Sequence, residues 1–194
     1  MSQVELPAAH AVADVAKAVL ETLKADREFP AFQAASLQYS DDWQCFTGFP
    51  VVSQWNLEAD AEPLFEEGLR ALALKAAVYE LTGSDQAAEI PIAVPVDEMT
   101  HAMLAQAQLL TRIADACGVG IIHQTDQEHT DYRAGGYTEE CYRLAWGEEP
   151  PPRYWLDHEE VVRRREVLAG LYASIGMGRS GREHALDFAE LAAA

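Results

Sequence analysis

Apolar residues recur at helical intervals over several stretches of the chain and lose that period in others. Val12, Val15, Ala16, Val19 and Leu23 keep three-and-four spacing, which predicts a helix over 7–25 with one apolar stripe. Pro7 suits its first turn, where the missing N–H costs nothing. The stretch that follows is rich in aromatic residues and is punctuated by Phe29-Pro30 and Phe49-Pro50. Residues before proline avoid the helical region, and aromatic side chains favour strands, so short strands are expected near 35–39, 43–47 and 51–55.

The clearest helix is expected over 60–82. Asp60 reads as its N-cap, Pro63 and the acidic Glu62, Glu66 and Glu67 suit its first turns, and Gly83 suits its end. Leu64, Phe65, Leu69, Leu72, Ala73 and Ala76 make one face, while Leu74, Val78 and Leu81 add a second. A helix apolar on two sides belongs in the middle of a fold.

Residues 89–96 carry two prolines and read as an extended edge segment. A further helix is expected from Asp97 to Cys117, stopped by Gly118. Val119 to His123 reads as a buried strand, 125–136 as loop, and 138–146 as another strand. Pro150-Pro151-Pro152 is a stiff connector. Asp157 caps a helix to about Ile175, and a last short helix follows the glycine-bearing 176–181. This order predicts a single α+β domain over 1–194, with a mixed or mainly antiparallel sheet covered by about five helices and a C-terminal helical segment about 157–194. A mainly α fold with small β additions is the rival.

Composition narrows the function classes. The 194 residues carry 14 Lys plus Arg against 32 Asp plus Glu, a net charge of −18, and 49% are hydrophobic. That hydrophobic share excludes wholesale disorder. The charge opposes a broad grip on nucleic-acid phosphates and a polybasic membrane contact. It is also uneven. Residues 1–132 hold 6 basic and 21 acidic side chains, a net of −15, whereas 133–194 hold 8 and 11, a net of −3. Cys45, Cys117 and Cys141 are widely spaced and form no CxxC, as expected of reduced thiols in a cytoplasmic protein. Met1 to Pro7 lacks the basic and apolar regions of a secretory signal, and no run approaches the length of a membrane span.

Three features bear on chemistry. The run from His123 to Asp131 is dense in imidazoles and carboxylates, the side chains that hold divalent metals. It offers His123, Asp126, His129 and Asp131 as ligands and Glu128 as a general base, with His101 or Glu98 as further ligands from the preceding helix. Its spacing is neither HExxH nor HxxEH, and a solvated loop explains it as well. Second, Gly176, Gly178 and Gly181 form a literal GxGxxG ahead of an expected helix, offering Gly178, Arg179, Ser180 and Arg182 for an anion. The strand that should precede such a fingerprint and the acidic residue that should follow it are missing, so a helix-to-helix connection is the plainer account. Third, Arg153, Tyr154 and Trp155 follow the proline connector and offer a docking edge, since Arg and aromatic residues dominate binding hot spots.

Two function classes follow. The first is a non-catalytic acidic interaction protein (an adaptor, inhibitor, immunity-type partner or accessory subunit) that docks on a basic partner surface and needs no cofactor. The second is a small metal-dependent hydrolase built on the His123–Asp131 cluster with a divalent ion. A structural subunit of a larger assembly is a third possibility.

Overall fold

A computed structural model describes residues 5–42, 51–124, 129–179 and 183–184. Its central element is α3 (Leu57–Thr82), which packs against α1 (Ala9–Ala25), α2 (Phe29–Asp42), α4 (Asp85–Ala88), α5 (Val94–Leu104) and α7 (Tyr137–Trp146). Leu64, Phe65, Leu69, Leu72, Leu74 and Val78 of α3 are all buried, so both of its apolar faces are used. Only Leu81, near the end, turns outward. The start differs from expectation by one turn. Asn56 is the N-cap, its side chain accepting from the Ala59 N–H, and Pro63 falls inside the helix. Gly83 and Gly118 end α3 and α6 (Ala107–Cys117) in the left-handed conformation expected of such stops.

The sheet expected at the centre is not found among the described residues. The described residues form eight helices and a single antiparallel pair of two-residue strands, β1 (Met177–Gly178) and β2 (Glu183–His184). The fold is mainly helical, and the α+β expectation is overturned. Four misread segments explain it. The aromatic stretch around 35–39 belongs to α2, where Phe29, Phe32 and Ser36 recur at three and four and Phe32 and Ser36 are buried. Pro30 sits at the helix start, where proline is tolerated. The segment 138–146 is α7, whose buried residues Thr138, Cys141, Tyr142 and Ala145 follow the helical period, not alternation. Residues 51–54 form a turn, and 119–123 run extended without a ladder partner among the described residues. The expected strand at 43–47 lies outside the described residues.

The extended segment after α4 is shorter than expected. It reaches Ala93, and Val94 opens α5 with Pro95 in the first turn. The long helix expected over 97–117 is two helices, α5 and α6, broken at Ala105 and Gln106. Toward the C-terminus, Asp157 caps α8 (His158–Ser174), its side chain accepting from the Glu159 N–H. The helix expected after 181 lies largely outside the described residues. Val51, Val94, Leu156 and Val161 form a small second core beneath the start of α8. The rest of α8 leaves Val167, Leu171 and Ile175 exposed. Among the described residues, no helix is long and apolar enough to cross a membrane.

Candidate functional site

Charged residues are rarely buried without partners, yet the core beside α3 and α5 encloses six ionisable side chains. Lys75 comes from the middle of α3, Glu89 from the turn after α4, Asp97, Glu98 and His101 from α5, and His123 from the extended segment after α6. The helical repeat puts Asp97 and His101 on one face of α5, with Glu98 one position round. Lys75, Glu89, Asp97 and Glu98 are buried, and His101 is partly exposed.

Contacts position each member. The Lys75 ammonium and the Glu89 carboxylate form an ion pair of 2.5 Å, both side chains about fully enclosed. The other oxygen of Glu89 accepts the Gln124 backbone N–H. That clamp fixes the end of the 119–124 segment, and Gly120 fixes its start. A Cβ on Gly120 would lie 2.7 Å from the Tyr79 ring, so only glycine lets the segment lie this close to α3. His123 is thereby held against Lys75, whose Nζ stands 3.1 Å from its Nδ1. Burial above all, then the charges of Lys75 and His101, pushes the His123 imidazole down to about 3, so the ring is neutral at ordinary pH. With Nδ1 facing an ammonium donor, the hydrogen of the neutral ring belongs on Nε2, which faces Asp97.

The carboxylate of Asp97 lies between two rings. One oxygen is 3.8 Å from His123 Nε2 and the other 3.7 Å from His101 Nε2. The two rings meet edge to face with centroids 5.0 Å apart. His101 Nδ1 faces Glu98 at 3.4 Å. One ligand atom from each of Asp97, His101 and His123 falls within 4.8 Å of the other two.

Only part of the predicted cluster is here. His123 is in it, and His101 and Glu98, read from sequence as extra ligands, are beside it. His129 and Asp131 are exposed and outside that group, His129 using its backbone oxygen to accept the Ile92 N–H. Asp126 and Glu128 lie outside the described residues. Sequence reasoning missed Lys75, Glu89 and Asp97. A lone lysine inside Leu-Ala-Leu-Lys-Ala-Ala-Val was the available signal, because a charge in that run needs a buried partner.

The other two features resolve differently. Tyr154 and Trp155 are buried, so they do not present an exposed edge. The Trp155 indole donates to Glu67 at 2.7 Å, and the Tyr154 hydroxyl donates to Asp60 at 2.8 Å. Arg153 grips Asp60 through both oxygens, at 2.6 and 2.7 Å. That guanidinium, with the Asn56 N–H and the Tyr154 hydroxyl, holds the Asp60 carboxyl well below the usual carboxylate range despite its burial. These residues tie the proline connector to α3. In the glycine-bearing stretch, Gly178 is in β1, and Arg179 pairs with Glu183 at 3.0 Å. Ser180 and Arg182 lie outside the described residues. Burial raises the Cys141 thiol to about 11 and also raises Cys117, so neither is a ready nucleophile.

The surface beside α7 is a different kind of site. A groove of about 520 Å³ is lined by Glu139, Glu140, Glu148 and Glu149, with Arg143 and Leu144. Arg143 pairs with Glu149 at 3.1 Å, and Arg70 reaches Glu148 at 2.7 Å. Leu144 is 52% exposed at its side. No family model, curated protein or solved structure matches the chain.

Proposed function

We propose that this chain is a non-catalytic interaction protein that docks on a basic partner through the groove beside α7. The observation that carries the reading is the groove lining, four glutamates and one arginine around an exposed leucine. A partner that offers Lys or Arg next to an apolar side chain complements both parts. The apolar contact supplies affinity, and the carboxylates supply steering and register. The net charge of −18 extends that field beyond the groove.

The docking surface differs from the one read off the chain. Five carboxylates counted in the acidic front, Asp60, Glu67, Glu89, Asp97 and Glu98, are buried. The groove lies in the part of the chain whose total charge is close to neutral, because most of the arginines there lie beyond it. The hydrolase alternative keeps one foothold, His123 beside Asp97 and His101.

The test uses a Lys/Arg-rich peptide carrying one leucine, with a Glu/Asp-rich peptide as control. The cationic peptide should bind, and Glu140→Lys with Glu149→Lys should weaken it by about tenfold, as expected for charge reversal at a steering surface. Equal binding by the reversed protein would contradict this docking site.

A further inference from the structure

We propose that Asp97, His101 and His123 bind a divalent transition-metal ion of the zinc type. This site is independent of the docking groove. It draws on two elements that the fold brings together, α5 and the segment after α6.

The donor set points to the ion. Two imidazoles and one carboxylate suit zinc and its neighbours, whereas calcium and magnesium prefer oxygen donors throughout. The geometry is that of a site slightly open. Two ligands each about 2.0–2.1 Å from a tetrahedral ion stand about 3.3 Å apart. One Asp97 oxygen stands 3.7 Å from His101 Nε2 and the other 3.8 Å from His123 Nε2, and one ligand atom from each residue lies within 4.8 Å of the other two. Those separations are too long for good hydrogen bonds between these partners. Contraction of that triangle, by no more than about 1.5 Å on its longest side, brings the three atoms onto an ion.

The surrounding residues have the roles that outer groups take at metal centres. A ligating histidine normally gives its second nitrogen to a carboxylate or carbonyl. His101 does this, with Nδ1 facing Glu98 at 3.4 Å and Nε2 facing Asp97. Glu89 secures the segment of His123 through Gln124 and leaves the His123 Nε2 facing Asp97. The Lys75 charge beside it is matched by Glu89 at 2.5 Å, so the ion meets an ion pair and not a lone ammonium. For His123 to ligate as a neutral ring, its Nε2 hydrogen leaves to solvent and Nδ1 takes a proton from the Lys75 ammonium 3.1 Å away, so one proton is released per ion bound. His101 is the exposed member and supplies a way in. Three protein ligands leave a fourth tetrahedral position open.

The experiment uses the full chain, stripped with a chelator and titrated with Co²⁺. One ion per chain with visible bands of tetrahedral intensity, displaced by Zn²⁺ and not by Mg²⁺, is the expected result. His101→Ala and Asp97→Asn should each weaken binding at least about tenfold. His129→Ala, which removes an exposed ring outside the group, should leave it unchanged. No cobalt spectrum, an unchanged His101→Ala, or loss on His129→Ala would each overturn the site. Should the variants fail to fold, the unmodified chain still decides. Zn²⁺ should slow carbethoxylation of His101 and leave His129 as reactive as before, and equal reactivity of His101 with and without Zn²⁺ would contradict the proposal.

Discussion

The Lys75–Glu89 pair is enclosed on both sides, so its members depend on each other far more than a surface pair would. Removing one charge leaves the other buried and alone. Lys75→Met should cost about 3–5 kcal/mol in a denaturant titration. Adding Glu89→Gln should restore part of that loss, and a double variant worse than the single would refute this account. Asp60 makes a prediction about pH. Arg153 holds its carboxyl below the ordinary 3.8, so the unfolded chain takes up the proton first on acidification. The stabilisation is whole above about pH 4 and is lost as pH falls toward the folded value. Asp60→Asn should therefore lower stability by about 1–3 kcal/mol at pH 7, with a smaller difference at pH 2.5, as unfolding curves at the two pH values would report. Single residues of the candidate site were partly legible from the chain. His123, His101 and Glu98 announce metal chemistry by type, and Asp97 and His101 stand at helical spacing. What pairs α5 with the segment after α6 is tertiary packing, to which a local reading has no access.

At the level of elements, helices whose apolar residues keep one period were legible. The spacing gives α1, α3 and α8 to within a few residues, and the caps Gly83, Gly118 and Asp157 stand where they should. The failures have two causes. Over Phe29 to Tyr39 the strand preference of aromatic residues is weak and yields to burial on a helix face, and over Thr138 to Trp146 an apparent alternation masks a helical period in the same residues. Cys141, Tyr142 and Ala145 sit on the α1 and α3 side of α7, which settles the period in favour of helix. Two substitutions separate close packing from exposed surface. Gly120→Ala drives a methyl into the Tyr79 ring and should cost about 1–3 kcal/mol, since overpacking forces a shift. Leu171→Glu, on a position 59% exposed, should change stability by no more than about 0.5 kcal/mol. Thermal unfolding of both variants checks the contrast, and a large loss for Leu171→Glu would mean that the outer face of α8 is covered in the folded protein.

Across the whole molecule, acidity serves two ends. Asp60, Glu67 and Glu89 are interior struts, each paired with Arg153, Arg70 or Lys75, and they contribute little to the outside field. Glu140, Glu148 and Glu149 remain near the surface beside Leu144. The net charge alone does not tell these roles apart, so the sequence overstates the acidic front and understates the α7 groove. Steering by exposed carboxylates is screened over about 10 Å at 0.1 M salt, whereas apolar contact is not. The association rate of the cationic, leucine-bearing peptide, measured from 0.02 to 0.5 M NaCl, therefore shows whether the groove carboxylates steer a basic partner. Docking at the groove gives a steep fall in that rate with salt, a dissociation rate that changes far less, and a flattened dependence in the Glu140→Lys, Glu149→Lys protein. A rate independent of salt, or a slope identical in the two proteins, would contradict it.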